Sequence, residues 1–215
     1  MLHPDFDREL KKIINHFHLE IGIETGTYQG NMSLYLSKLM KNVYTSEISS
    51  QFYDNLDKTF KCIKQSDTLK TSENIEFHLG SSERILENIL PAVKAPYEND
   101  DKPFALFFLD AHWENYWPLL DEIKCIGRLL PDKAVIIIDD CKVPGRKHGF
   151  DRYHGKELDF SYVKGSLDGA FPNGFRYYYI TSAAMENDGE PGRLVVFPSK
   201  FSVPSDWTIS VSSNL

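Results

Sequence analysis

The 215-residue chain contains only three cysteines, Cys62, Cys125 and Cys141, an odd number without metal-ligand spacing. That excludes a disulfide framework and a cysteine-built zinc site, and points to a reducing compartment. No apolar run approaches the roughly 20 residues that a membrane-spanning helix requires. The start, MLHPDFDRELKK, is charged and lacks the apolar stretch of a secretory leader, so a cytoplasmic location is expected. Clustered positive charge is missing too. The formal net charge is -7 and the nearest approach to a basic patch is Arg146 and Lys147, which argues against nucleic acid or an anionic membrane as the main partner. Internal repeats and low-complexity segments are absent. So are GxGxxG and a glycine-rich loop ending in Gly-Lys-Ser/Thr, the signatures of dinucleotide and nucleotide-phosphate sites.

With 41% hydrophobic and 26% charged residues, the chain reads as one domain, 1–215, large enough to bury a substantial core. Strand-like and helix-like segments alternate, the pattern of an α/β domain with a mostly parallel sheet. Strands are expected at Leu19–Glu24, Asn42–Glu47, Ile75–Leu79, Phe104–Asp110 and Ala134–Asp139. Helices are expected near Asn31–Met40, Ser50–Lys64, Ser82–Val93 and Trp117–Leu130, with an N-terminal helix in 1–18. PFALFFLD and AVIIID are apolar on both faces and read as central strands. FRYYYIT (Phe175–Thr181) and RLVVF (Arg193–Phe197) are joined by a link too short for a crossover helix, which predicts an antiparallel hairpin.

The stretch IGIETGTYQGNMSLYLSK, Ile21–Lys38, places an ExGxxxG core between the first strand and a helix. Gly26 and Gly30 let backbone approach a ligand, and the helix that follows aims unpaired N–H groups at the same spot. Glu24 at the strand end suits a ligand carrying an ammonium or sulfonium, and S-adenosylmethionine carries both. In a parallel α/β sheet the ligand crevice lies outside the carboxyl ends of the strands. Glu24, Glu47, Asp110 of LDAHW, and Asp139 and Asp140 of IDDCKVPG should therefore face one cleft. Clustered carboxylates repel unless a cation or proton lies between them, and oxygen-only ligands favour hard ions such as Mg²⁺.

This order of motifs resembles the class I S-adenosylmethionine-dependent methyltransferase superfamily over nearly the whole chain, and within it the metal-dependent O-methyltransferases that modify sugar hydroxyls. The resemblance implies a single-domain Rossmann-like fold whose parallel sheet is flanked by helices and ends in an antiparallel hairpin. It implies cofactor contacts at Glu24, Gly26, Thr27, Tyr28, Gly30, Asn31, Glu47 (gripping the ribose hydroxyls), Ser81, Ser82 (near the adenine) and Asp110. Metal ligands would be Asp110, Asp139 and Asp140, holding Mg²⁺ or Mn²⁺, and His112 would be the base that takes the acceptor's proton.

Other readings of the same residues stay open. Ser81 is equally suited to cap the next helix, Asp139 and Asp140 to bind loop N–H groups, and period-two alternation would send those two side chains to opposite faces. Residues 143–165, rich in glycine and aromatics, read as an acceptor-binding loop or lid; Trp113, Tyr153 and His154, with Tyr116 and Trp117, are suited to stack on the acceptor, and equally to fill gaps under a loop. That acceptor is expected to be a saccharide or other small molecule; catechol-type diols chelate Mg²⁺ equally well. A catalytically silent cofactor-binding scaffold is the rival from another class, and the oligomeric state is not readable.

Overall fold

The computed structural model describes residues 2–56, 73–99, 101–112, 116–204, 207 and 210–212. The N-terminal helix, Pro4–Phe17, starts where the His3 ring accepts a bond from the Asp5 N–H and proline occupies the first turn. Phe6, Leu10, Ile13, Ile14 and Phe17 recur at helical spacing and are all buried, and the helix stops at His18 in the left-handed region (φ 52°). Among the described residues no helix is long and apolar enough to cross a membrane.

Five parallel strands follow: β1 Ile21–Thr25, β2 Asn42–Glu47, β3 Ile75–Leu79, β4 Ala105–Leu109 and β5 Ala134–Ile138. Helices Asn31–Leu36, Ser82–Lys94 and Leu119–Leu129 lie along the chain between them. A short hairpin, β6 Arg152–Tyr153 and β7 Lys156–Glu157, leads to the helix Phe160–Ala170; then come β8 Phe175–Ile180, a helical turn Ala183–Asn187, β9 Arg193–Pro198 and β10 Ser210–Ser212. The main sheet runs β10-β8-β9-β5-β4-β1-β2-β3. β9 is inserted antiparallel between β5 and β8, and β10 adds an antiparallel edge. The expected α/β architecture with its terminal hairpin is present.

Both faces of the sheet are covered. Phe107, Leu109, Ile136 and Ile138 point into one core with the Ser82–Lys94, Leu119–Leu129 and Phe160–Ala170 helices. Leu106, Phe108, Val135 and Ile137 point into the other with the N-terminal helix. This is why β4 and β5 are apolar on every residue. A Cβ on Gly127 would lie 2.2 Å from the Ala170 Cα, so the last two helices of the first core touch backbone to backbone there.

Several elements differ from expectation. Segment 143–165 is not an open loop throughout: it holds the β6–β7 hairpin and the first turns of the Phe160–Ala170 helix, which Asp159 caps by accepting from the Tyr162 N–H at 2.9 Å. Gly165 and Gly169 weaken the helical signal there, although Val163, Ser166, Leu167 and Ala170 keep a buried stripe. The helix after Gly30 ends at Leu36 rather than Met40. The one expected over Ser50–Lys64 is helical at 50–56, and its remainder lies outside the described residues, as does Cys62.

Candidate functional site

The parallel strands open at their carboxyl ends, and the backbone there is tied together. The Gly26 and Thr27 N–H groups donate to the Ser46 carbonyl (3.0 and 3.1 Å), Asp110 N–H to Thr25 (3.2 Å), Asp139 N–H to Leu109 (3.1 Å) and Gly80 N–H to Glu47 (2.9 Å). These bonds carry the ladders past the strands and fix the loops above them. Gly26 is required twice over: its φ is +82°, and a Cβ would lie 2.6 Å from the Asp110 carbonyl oxygen.

Above β1, β2 and β4 lies a cavity of about 380 Å³ lined by Gly26, Tyr28, Ser46, Glu47, Ile48, Phe52, Gly80, Ser82, Asp110, Ala111, His112, Tyr116 and Pro118. Of the ten candidate cofactor residues, Gly26, Tyr28, Glu47, Ser82 and Asp110 line it. Glu24, Thr27, Gly30, Asn31 and Ser81 do not. Glu47 is buried, and each of its oxygens accepts one backbone N–H, from Tyr28 at 2.9 Å and from Ser49 at 2.8 Å. One lone pair per oxygen remains for two further donors.

Glu24 departs from expectation. Its carboxyl turns below the cavity, accepting from the Ser33 and Thr45 hydroxyls, and Thr45 continues to Thr27 at 2.6 Å. Glu24 thus links β1, β2 and the Asn31–Leu36 helix. Burial pushes its pKa up to about 7. Gly30 and Ser81 occupy helix N-cap positions, Gly30 in the left-handed region at φ 74°, and Ser81 makes no side-chain cap bond.

The acids of the fourth and fifth strands divide. Asp110, His112 and Asp140 each bring one ligand atom within 4.8 Å of the others. Asp139, expected in that set, is paired instead with Arg193 of β9 at 2.8 Å, both side chains nearly sealed from solvent. The alternation of the strand turns it away, and Asp140 reaches the cluster because its backbone enters the left-handed region at φ 49°. Burial, then the Asp139, Asp140, Glu24 and Asp151 charges, raise the Asp110 pKa well above the carboxylate range. Burial and the Asp139 and Asp151 charges push Asp140 up to about 7. Two half-buried carboxyls that approach one point fit a divalent cation, whose charge would relieve that repulsion, and leave the exposed His112 imidazole beside it.

Asp151 escaped the sequence reading. It lies at the foot of the β6–β7 hairpin, where its carbonyl accepts from the Leu158 N–H at 2.9 Å; its N–H donates to the Asp140 carbonyl at 2.9 Å, and its carboxylate lies 3.6 Å from His112 Nε2. Tyr153 packs against Trp117 (4.5 Å between rings) and His112 (5.7 Å), forming an aromatic wall beside the acids. His154 is exposed at the tip of the hairpin, where it and Gly155 both take positive φ (50° and 77°) as a two-residue turn. Trp113 lies outside the described residues. Tyr116 lines the cavity together with Ile48 and Pro118, of which the last two carry no motif that sequence alone reveals.

A pH dependence of stability follows. The pKa values of Glu24, Asp140 and Glu122 rise to about 7 on folding, from about 4 in an unfolded chain. Between those values the folded state keeps protons that the unfolded state has lost, so this stability is fully present below pH 4 and declines as pH rises toward 7. In metal-free buffer the melting temperature is expected to fall by several degrees from pH 5 to pH 7.5, with a shallower slope in Glu24→Gln. A flat profile in thermal melts would refute the buried-acid account.

A model of the methyltransferase-domain family matches residues 23–141. No curated protein matches the chain by sequence. Among solved structures, an O-methyltransferase from Bacillus cereus in complex with SAH has a TM-score of 0.61 at 17% identity, covering 93% of this chain and 83% of that one. The O-methyltransferase TomG from Streptomyces achromogenes, involved in tomaymycin synthesis and in complex with SAM, has a TM-score of 0.56 at 16% identity, covering 92% and 81%. At such identities the likeness is one of fold.

Proposed function

The chain belongs to the methyltransferase-domain family, whose model spans more than half of it, and from that premise we propose that it is an S-adenosylmethionine-dependent O-methyltransferase. Its acceptor is a hydroxyl of a sugar or glycosylated metabolite, and a divalent cation, Mg²⁺ or Mn²⁺, assists. The observation that carries the reading is the convergence of Asp110, His112 and Asp140 beside a cavity whose wall presents Glu47.

Bound S-adenosylmethionine supplies an activated methyl group, and a divalent cation supplies Lewis acidity toward the acceptor oxygen. The chain's residues do the rest. Glu47 accepts two hydroxyls through the lone pairs its backbone bonds leave unused. Gly26 keeps the floor of the cavity clear. Asp110 and Asp140 would hold the cation, and the imidazole of His112 removes the acceptor proton. The Asp151 carboxylate lies 3.6 Å from His112 Nε2 and helps to orient the ring. Tyr153 and Trp117 offer a flat apolar face to a ring carrying the hydroxyl.

Calorimetry with S-adenosylhomocysteine tests the cofactor reading, with micromolar binding expected. A methyl-transfer assay over sugar and aromatic vicinal diols, with and without EDTA, tests the remainder. Chelation should suppress transfer without abolishing cofactor binding. Turnover confined to aromatic diols would sink the sugar assignment, and absence of binding would sink the proposal.

A further inference from the structure

Beneath the cavity lies a polar cluster that the mechanism above does not use. Glu122, in the first turn of the Leu119–Leu129 helix, is fully buried, and neither of its carboxyl oxygens has a hydrogen-bond partner. The hydroxyls of Thr25, last residue of β1, and Ser82, first residue of the Ser82–Lys94 helix, are buried and equally unpartnered. Both face the Glu122 carboxyl and ease its ionisation, against burial and the charges of Glu83 and Asp121. Three elements thus bring four polar oxygens together in the interior, none with a hydrogen-bond partner of good geometry. Thr25 and Glu122 have no outlet. Ser82 does, because it lines the cavity.

We infer that Glu122 is a positioning residue of the cofactor cavity, drawing the Ser82 hydroxyl proton inward so that Ser82 presents a lone pair to the ligand. A hydroxyl that donates to a carboxyl beneath it can only accept from above. Occupancy then completes a chain from a ligand N–H through Ser82 to Glu122. The site selects a nucleobase edge that carries an amino donor over one that carries a carbonyl there. This inference rests on the cofactor reading of the preceding section.

The probes are S-adenosylhomocysteine and its deaminated 6-oxo analogue, titrated by calorimetry into the full chain. The wild-type protein is expected to prefer the amino form by about tenfold or more, the value of one hydrogen bond. Glu122→Leu should weaken the amino ligand about tenfold and erase the preference, whereas Glu122→Gln, which keeps an acceptor, should restore most of it. Substitution of the buried acid by leucine should not lower the melting temperature, so loss of fold would not mimic the effect. Ser82→Ala should weaken binding similarly, and the double variant Ser82→Ala/Glu122→Leu should bind no worse than Ser82→Ala alone. In turnover the loss should enter the cofactor KM and leave kcat within about twofold.

An unchanged preference in Glu122→Leu overturns the inference, as do multiplicative losses in the double variant. Failure of the wild-type protein to bind S-adenosylhomocysteine at all overturns the cofactor reading itself, and this inference with it.

Discussion

Replacing Arg193 by methionine is expected to destabilise the protein by about 3–5 kcal/mol, the usual penalty for stripping one partner from a buried ion pair. The guanidinium lies 2.8 Å from Asp139, donates twice to Glu190 at 3.3 Å, and sits 3.9 Å above the Phe6 ring of the N-terminal helix. Its loss leaves the Asp139 carboxylate in the interior without a counter-charge. Methionine refills the volume over Phe6 but does nothing for the acid. For a chain of this size the melting temperature should drop by about 10 °C. Adding Asp139→Asn should recover a good part of the loss, because removing both charges is far milder than removing one. If Arg193→Met melts with the wild-type protein, the pair is not structural, and Asp139 would return as a candidate ligand.

The second large effect belongs to chemistry. Asp140→Asn is expected to lower turnover by about 10²–10³-fold, since Lewis-acid assistance contributes several kcal/mol to a barrier and each 1.36 kcal/mol is a factor of ten. Binding of S-adenosylhomocysteine should stay within about threefold, because Asp140 is absent from the cavity wall. Asp139→Asn should do the reverse, with a modest change in kcat and a clear loss of stability. Steady-state kinetics under saturating Mg²⁺, with melts of both variants, separates the two neighbours. Equal catalytic losses would show that both acids serve the cation.

That contrast marks the limit of what the sequence discloses. The alternation of strands and helices along the chain, the apolar β4 and β5 and the terminal hairpin rest on local patterns, and all three are found. Gly26 of the glycine turn and the acid closing β2 line the cavity, a placement that follows from their position at strand ends. The separation of Asp139 from Asp140 depends on a left-handed residue and on an arginine from β9, neither of which a motif encodes. Asp151 is held beside Asp140 by a backbone bond across the intervening loop, a pairing that no local pattern announces. Glu24 misled for a different reason: its place in the motif promised a ligand contact, while the Ser33 and Thr45 hydroxyls beside it claim the carboxyl.

The insertion of β9 between β5 and β8 has a consequence for a nascent chain. β5 and its acid leave the ribosome before the strand that flanks them and the arginine that neutralises Asp139. At about 5–20 residues per second the delay is on the order of seconds. For that interval an apolar strand with an open edge waits beside an unmatched carboxylate, the arrangement most prone to pairing with the wrong neighbour. Arrival of β9 closes the edge and discharges the acid in one event, so the last third of the chain acts as the lock on the first two.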